Sequence, residues 1–263
     1  MHRFIFLLTA VLTFSPMVTG ESSRKSTSPS YTTASVVNAA SNSADALAPN
    51  TIASLYGTDL SYDTGQGPLN NFNGTMLPEH LWGVRVYVGQ YAAGLYYISP
   101  RQINFLIPEL HPGDTDFYVS RQGVAGPHVR ITLRDVGPGL FQREPGIIAS
   151  THTDGSIITK DHSARAGETV VLYGTGLGET VPAEVVGQFN MVAAQIRRLS
   201  DLRVIIGGKN LDSARIQYAG VTPGSPGLYQ VNVKLPNQLT PNPEIRVTIG
   251  DQSSPANMIL PVR

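Results

Sequence analysis

Three motifs occur twice in this chain, in the same order and at similar spacing, and this repeat limits the possible folds more than any other feature. The pairs are LYGTDL (55–60) with LYGTGL (172–177), RVYVG (85–89) with RVIIG (203–207), and QINFLIP (102–108) with QVNVKLP (230–236). Their offsets are 117, 118 and 128 residues, and a hairpin loop can absorb the ten-residue difference. Collinear matches of this kind indicate a duplication, so two similar domains are predicted.

Both halves consist mainly of short runs, many of which alternate apolar and polar residues. Alternation with period two is typical of half-buried strands, and the Gly, Pro, Asn and Asp residues in the gaps are typical of turns. Tight hairpin turns are predicted at Gly89-Gln90, Asp154-Gly155 and Gly207-Gly208. The predicted strands are 51–56, 84–88, 95–98, 102–107, 116–121 and 129–134 in the first half, and 169–173, 202–206, 214–218, 229–235, 245–249 and 258–262 in the second.

One stretch departs from this pattern. At residues 188–199, Phe189, Val192, Ile196 and Leu199 recur at helical spacing, which predicts an amphipathic helix.

Short strands separated by turns are otherwise typical of antiparallel sandwiches with Ig-like topology. The predicted fold class is all-β, with two tandem Ig-like antiparallel β-sandwich domains after a signal peptide. The segment VGPGLF (136–141) interrupts the strand pattern with two glycines and a proline. The domain boundaries are therefore predicted at 33–137 and 138–263.

The first twenty residues have the three-part layout of a secretory signal. A basic residue precedes an apolar run at 4–14, which Ser15-Pro16 ends, and small residues follow up to Gly20. A helix of this run would be about 16 Å long, too short for roughly 30 Å of hydrocarbon, so no membrane span is predicted. Residues 21–32 are polar and Ser-rich, which predicts a disordered leader. A secretory signal on a chain that contains no Cys favours a bacterial protein that is secreted, whether periplasmic or extracellular.

Composition excludes several functional classes. The chain has 19 basic and 19 acidic residues, and this neutral balance argues against nucleic acid as a partner. The absence of Cys excludes disulfides, thiolate metal sites and cysteine nucleophiles. No nucleophile elbow, P-loop or dinucleotide fingerprint occurs, so neither an enzyme nor a cofactor is predicted. A secreted hydrolase stays a remote alternative, since carboxylates paired only in space leave no sequence signature.

Two polar features have competing interpretations. His152, Asp154, Asp161 and His162 are ligand types that suit zinc, but a hairpin with Asp154-Gly155 at its turn and polar residues on its exposed arms is the favoured interpretation, so no metal site is predicted. The Gln-x-Asn pairs at 102/104 and 230/232 resemble ligand contacts. Because they occur in both halves, they are interpreted as a structural device in which the amides satisfy backbone groups.

Aromatic residues cluster in the first half and provide the candidate binding site. Tyr96 and Tyr97 are adjacent, so they point to opposite faces of a strand. Such rings offer a large apolar area with a polar end, which suits sugars or protein partners. The alternative is that these rings pack the sheet and the contact between the domains. The candidate binding residues are Trp82, Tyr87, Tyr91 and Tyr96.

Several segments together resemble a known family, the Solibacter uncharacterised C-terminal domain of acidobacterial secreted proteins. The segment VRVYVGQYAAGLYYISPRQINFLIP (84–108) is the longest of them, and the others are ASLYGTDL (53–60), PGLF (138–141), DGS (154–156), GETVVLYGTGLG (167–178) and GLYQVNVKLP (227–236). Each half is also similar to IPT/TIG domains, which are Ig-like. The resemblance implies the same all-β fold, and it implies no established activity and no catalytic residues.

These observations predict a secreted, non-enzymatic β-sandwich module for extracellular adhesion or protein interaction. The partner would be an extracellular protein or a polysaccharide. The alternative is a carbohydrate-binding module that uses the aromatic residues of the first domain.

Overall fold

The computed structural model describes residues 27–67 and 76–263, and this part of the chain is almost entirely β-structure. The predicted signal peptide lies outside the described residues. Helical structure is restricted here to three-residue 3-10 turns at Thr33–Ser35, Leu199–Asp201 and Ser213–Arg215. Nothing in the described residues forms a helix of the length and apolarity needed to cross a membrane.

The first unit contains ten strands. They are β1 (Val36–Asn38), β2 (Ile52–Tyr56), β3 (Gly65–Gln66), β4 (Val84–Val88), β5 (Tyr91–Ala92), β6 (Gly94–Ile98), β7 (Gln102–Leu106), β8 (Gly113–Arg121), β9 (Val124–Ala125) and β10 (Val129–Leu133). One sheet has the order β1-β2-β7-β6-β3, and the other has the order β10-β8-β4-β5, with β9 also paired to β8. In chain order, this places β1, β2, β7 and β6 as strands A, B, E and D of an Ig domain, and β4, β8 and β10 as C, F and G.

The second unit repeats this arrangement. Its strands are β11 (Gly139–Leu140), β12 (Gln142–Glu144), β13 (Ile147–Ile148), β14 (Ser150–His152), β15 (Thr169–Thr175), β16 (Thr180–Val181), β17 (Ala194–Ile196), β18 (Leu202–Ile206), β19 (Lys209–Asn210), β20 (Ile216–Val221), β21 (Tyr229–Lys234), β22 (Ile245–Ile249) and β23 (Gln252–Ser253). One sheet has the order β11-β15-β21-β20-β17-β16, and the other has the order β19-β18-β22-β23. The fold is therefore all-β with two Ig-like sandwiches, as predicted, while the domain boundaries at residue 137/138 stay a prediction.

Each sandwich has its own apolar core, formed by the inward side chains of its two sheets. In β4 the buried residues Val84, Val86 and Val88 alternate with the more exposed Arg85 and Tyr87. Strand β18 shows the same alternation at the equivalent place in the second unit. Period-two patterning therefore determines which face of each strand is buried.

The predicted helix at 188–199 is wrong. Ala194 and Ile196 are buried in β17, and Gln195 between them is exposed, which is the alternation of a strand. Val192 and Leu199, from the predicted apolar face, are 61% and 39% exposed. Pairing of β17 with β16 and β20 satisfies its backbone, and this tertiary pairing outweighs the helical spacing.

The predicted end of the disordered leader at residue 32 lies too late in the chain. Ser30 and Thr58 exchange backbone hydrogen bonds of 2.9 Å, so the first unit already includes Ser30. Tyr31 is 7% exposed, and its ring meets that of Phe117 edge-on with centroids 5.7 Å apart. Its hydroxyl accepts a hydrogen bond from the Val119 backbone amide at 2.7 Å. Burial of this one aromatic ring orders a segment whose composition is polar.

The repeated Gln-x-Asn pairs form the same contact in both units. Gln102 Nε2 donates to Asn104 Oδ1 at 2.8 Å, and Gln230 Nε2 donates to Asn232 Oδ1 at 3.2 Å. The amides therefore bond to each other along β7 and β21. This differs from the expected contact with backbone groups, although the shared geometry agrees with a structural role.

A buried chain of hydrogen bonds joins the two units. The Ile52 backbone amide donates to Thr175 Oγ1 at 2.9 Å, and Thr175 Oγ1 donates to the Gly227 carbonyl at 2.7 Å. Asn50 Nδ2 donates to Tyr229 Oη at 3.0 Å. A third apolar cluster surrounds these bonds and contains side chains from both units, among them Ala40, Ile52, Leu77, Tyr96, Leu106, Phe141, Ala149 and Phe189.

We expect Thr175→Val to destabilise the protein by about 2 kcal/mol, because it leaves the Ile52 amide and the Gly227 carbonyl buried without their partner. Thr175→Ser keeps the hydroxyl and is the matched control. The midpoint of urea denaturation measures the difference between the two variants. Equal midpoints would show that the hydroxyl does not contribute to the junction.

We also expect Gly57→Val and Gly174→Val to destabilise the protein by similar amounts, about 3 kcal/mol each, through overpacking. A Cβ atom on Gly57 would lie 2.4 Å from the Ser30 carbonyl oxygen, and one on Gly174 would lie 2.5 Å from that of Gly139. Both neighbours are backbone atoms of a segment that crosses the glycine. Thermal melts in which one variant is harmless and the other severe would contradict the equivalence of the two motifs.

Candidate functional site

The four aromatic residues predicted as one binding site lie in separate places. Tyr96 is only 6% exposed and belongs to the apolar cluster between the units. Its hydroxyl donates to the Pro226 carbonyl in the second unit, and burial raises its pKa. In this structure Tyr96 therefore packs the contact between units, which was the alternative role for these rings, and presents no surface to a ligand.

Tyr87 belongs to a stack of three rings on the outer face of the β10-β8-β4-β5 sheet. Its ring lies 4.6 Å from that of Tyr118, and Tyr118 lies 4.2 Å from the His128 ring, with interplanar angles of 11° and 18°. His128 Nδ1 also lies 2.6 Å from Asp116 Oδ2. Stacking covers both faces of the central Tyr118 ring and one face of the Tyr87 ring, so Tyr87 is part of this stack and not of one site with Tyr91 or Trp82.

Tyr91 lines a cleft between the two units. The cleft has a volume of about 340 Å³, and Tyr91 is 46% exposed there. The first unit contributes Pro49, Tyr91, Glu109, Leu110, His111 and Pro112, the connection contributes Asp135 and Val136, and the second unit contributes Glu179, Arg197 and Arg198. Apolar side chains and an aromatic ring thus share one cleft with both carboxylates and guanidinium groups.

Strand ends bring these charges together. Glu109 follows β7 and Glu179 follows β15, and these two strands end at the junction of the units. Burial and the nearby Glu179 carboxylate raise the pKa of Glu109, while His111 opposes this shift. Glu179 Oε2 lies 2.8 Å from Arg197 Nε. The cleft therefore has a carboxylate–guanidinium pair on the second unit and a further carboxyl group on the first.

Sequence reasoning missed these charged residues. Glu109 and Glu179 each come shortly after a repeated motif. Charged residues are only 14% of the chain, so a carboxylate at both of these places was the one signal in the sequence that could have identified them. Their proximity depends on how the units dock, which no local pattern encodes.

Trp82 lies at the other end of the first sandwich from the cleft. It precedes β4, whereas Tyr91 follows the hairpin turn at the end of β4. Trp82 is 57% exposed, more than any other aromatic side chain among the described residues.

The His152 and His162 rings lie 4.4 Å apart, and His152 Nδ1 bonds to a Glu168 carboxylate oxygen. Asp154 Oδ1 accepts instead from the backbone amide and the hydroxyl of Ser156, at 2.8 and 2.6 Å. Those hydrogen bonds lower the pKa of Asp154. Within the described residues, no group of three or more His, Asp or Glu side chains is placed to hold a metal ion.

Comparisons with known proteins find neither a matching family model nor a matching curated protein. Weak similarities to solved structures exist. A surface glycan-binding protein from Prevotella bryantii has 13% identity and a TM-score of 0.27 over 80% of this chain and 36% of its own. A glycan-binding protein from Bacteroides ovatus, solved with a mixed-linkage heptasaccharide, has 10% identity and a TM-score of 0.31 over 83% and 43%. Domains 5–6 of the S-layer protein SbsC have 10% identity and a TM-score of 0.27 over 82% and 91%.

This chain spans less than half the length of those glycan-binding proteins. At such TM-scores the similarities do not bear on its function.

One titratable group beside the junction gives a prediction about stability. Burial raises the pKa of Glu184 from 4.5 to about 7. Between these values the folded protein binds more protons than the unfolded chain, so stability should fall as pH rises through this window. Glu184→Gln should remove this dependence and stabilise the protein at pH 8. We expect about 1 kcal/mol, reduced by solvent screening because the side chain is only half-buried.

Urea denaturation at pH 4.5, 6 and 8 measures this effect. Glu79→Gln, at an exposed position, is the control and should follow the parent protein. A Glu184→Gln variant with the parent's pH dependence would exclude Glu184 as the source.

Proposed function

We propose that the protein is an exported, non-enzymatic module that binds carbohydrate in the cleft between its two Ig-like units. The observation that carries this proposal is the exposed Tyr91 ring in a cleft that also contains Glu109, Glu179 and Arg197. A sugar has an apolar face that packs on an aromatic ring, and its hydroxyl groups donate hydrogen bonds to carboxylates and accept them from guanidinium groups.

The size and position of the cleft support this proposal. A volume of about 340 Å³ lies at the lower end of the range for small-molecule sites, which occur preferentially at domain interfaces. The buried bonds of Thr175 and Asn50 hold the units together. A pre-organised cleft loses less entropy when it binds a ligand.

Export is part of the proposal because the arrangement of residues 1–20 is that of a secretory signal. The glycan-binding proteins named above act here only as a guide to test ligands. A suitable panel contains xyloglucan, mixed-linkage glucan and unrelated plant and microbial polysaccharides.

We expect Tyr91→Ala to weaken retention on the bound polysaccharide at least tenfold, which is about 1.4 kcal/mol. Affinity electrophoresis across the panel measures the change. Tyr56→Ala is the matched control, since Tyr56 is 44% exposed against 46% for Tyr91 and lies at the far end of the first sandwich. Retention on no polysaccharide, or equal loss in both variants, would contradict a sugar site in the cleft. Release of reducing sugar during binding would instead indicate a hydrolase.

A second candidate function is interaction with an extracellular protein, and an exposed apolar surface favours it. This apolar loop surface consists of Val181, Val185, Met191 and Val192 together with Met76, which are between 47% and 61% exposed. The Leu77 amide donates to the Gly187 carbonyl at 2.8 Å, so Met76 is held against the 181–192 loop. Concentrated exposed apolar side chains mark protein interaction sites.

Charge substitutions on the apolar loop surface distinguish the two functions. Val185→Asp combined with Val192→Asp should abolish adhesion to cells or to a protein partner while leaving polysaccharide retention unchanged. Loss of both activities in a folded variant would show that the two surfaces are not separate.

A further inference from the structure

Trp82 has a backbone conformation that bulky residues rarely adopt. Its φ is +46°, and Gly83 after it has a φ of +82°. Leu81 and Val84 exchange backbone hydrogen bonds of 3.1 and 2.9 Å around them, so the two residues form a tight hairpin turn with positive φ at both positions. Asn, Asp or Gly normally occupy the first position of such a turn. A large aromatic residue there is strained, and strain of this kind is concentrated at functional sites.

The Trp82 ring is supported on one side and open on the other. A Cβ atom on Gly65 would lie 3.1 Å from ring atom Cε3, so the absent side chain leaves room for the ring to rest on β3. The side chain is nevertheless 57% exposed. The result is a flat aromatic surface held in a defined orientation at the surface.

Two exposed polar side chains, His80 and Gln122, bond to the backbone of the Trp82 turn. His80 Nε2 accepts from the Gly83 amide at 3.1 Å, and Gln122 Nε2 donates to the Trp82 carbonyl at 3.5 Å. A protein interface would require an apolar centre around the ring. The apolar loop surface has such a centre, whereas the side chains that bond to the Trp82 turn are polar. A single exposed ring on a turn that also holds an amide and an imidazole group fits the apolar face and hydroxyls of a sugar better.

The position of Trp82 relative to the cleft determines what kind of ligand reaches both. Tyr91 pairs with Val88 at the end of β4, and Trp82 precedes the start of that strand. At about 3.4 Å per residue, the two rings are separated by about 20 Å along the sheet. One short oligosaccharide cannot contact both rings, whereas a polymer offers a sugar unit to each.

We propose that Trp82 is a second carbohydrate-binding site, which stacks on a pyranose ring of a polysaccharide and makes the protein prefer long glycans to short ones. The preference for length rests on the proposed sugar site in the cleft. The stacking of a sugar on Trp82 is argued from the geometry of its turn and does not depend on the cleft. Linked binding of two sites by one polymer raises the apparent affinity without any new contact.

Trp82 is the only Trp in the chain, so Trp fluorescence, excited at a wavelength that tyrosine does not absorb, reports on this site alone. Titration of the full chain with mixed-linkage glucan, xyloglucan and the rest of the panel should give a saturable change in Trp fluorescence with at least one polymer. That change should persist in Tyr91→Ala, because the cleft is a separate site. Fluorescence unchanged by every polysaccharide would overturn the proposal.

Two variants separate a binding role from a structural one. Trp82→Asn suits the positive φ, so it should raise the melting temperature while weakening polymer affinity about tenfold, and affinity for a short oligosaccharide of the same glycan should stay within about twofold. Trp82→Tyr keeps a ring and should retain most of the polymer affinity.

The outcomes distinguish the two proposals. Full polymer affinity in Trp82→Asn together with lost binding in Tyr91→Ala would overturn the Trp82 site and leave the cleft. Binding lost in Trp82→Asn and unchanged in Tyr91→Ala would support the Trp82 site and overturn the cleft. A lower melting temperature in Trp82→Asn would identify Trp82 as a structural residue.

Discussion

The hydroxyl group of Thr175 makes the contact on which the arrangement of this molecule most depends. It accepts from the Ile52 amide of the first unit and donates to the Gly227 carbonyl of the second, in a fully buried position. A buried backbone group without a partner is unfavourable, so the bond from the Ile52 amide favours one docking position of the units, and the Gly227 carbonyl orients the hydroxyl that accepts it. The apolar cluster around Tyr96 and Phe141 is formed only in that position.

Docking of the units creates the cleft as well as the junction. Glu109 belongs to the first unit, and Glu179 and Arg197 belong to the second. They share a cleft because β7 and β15 both end where the units meet. The raised pKa of Glu109 is a consequence of this placement, since burial and the second carboxylate both oppose its ionisation. The same docking buries Tyr96 and leaves Tyr91 exposed, so it divides the aromatic residues into junction and surface.

The surfaces differ in the chemistry that each offers. The cleft combines one ring with paired charges, Trp82 presents one supported ring on a turn to which polar side chains bond, and the apolar loop surface presents aliphatic side chains. Each arises where the regular alternation of the strands stops, at a strand end or in a long loop. Loops on a rigid scaffold are where binding residues generally lie.

Local sequence patterns were sufficient for most of the fold. Alternating side chains located β4, β18 and β22 with their observed bounds. Dipeptides that contain glycine located the turns at Gly89-Gln90, Asp154-Gly155 and Gly207-Gly208, because a positive φ depends on the local residue. The duplicated motifs correctly indicated two sandwiches of the same topology. The 188–199 segment was misjudged because helical spacing of apolar residues also occurs in a strand flanked by loops.

The tertiary structure alone decided the candidate site. Tyr91 and Tyr96 are only five residues apart, yet Tyr96 is buried at the junction and Tyr91 is exposed in the cleft, since exposure depends on which surface the second unit covers. Glu109 of the first unit lies 70 residues before Glu179 of the second, and long-range contacts of this kind leave no local signal. The sequence by itself determined two similar sandwiches, whereas their docking determined which side chains are free to bind.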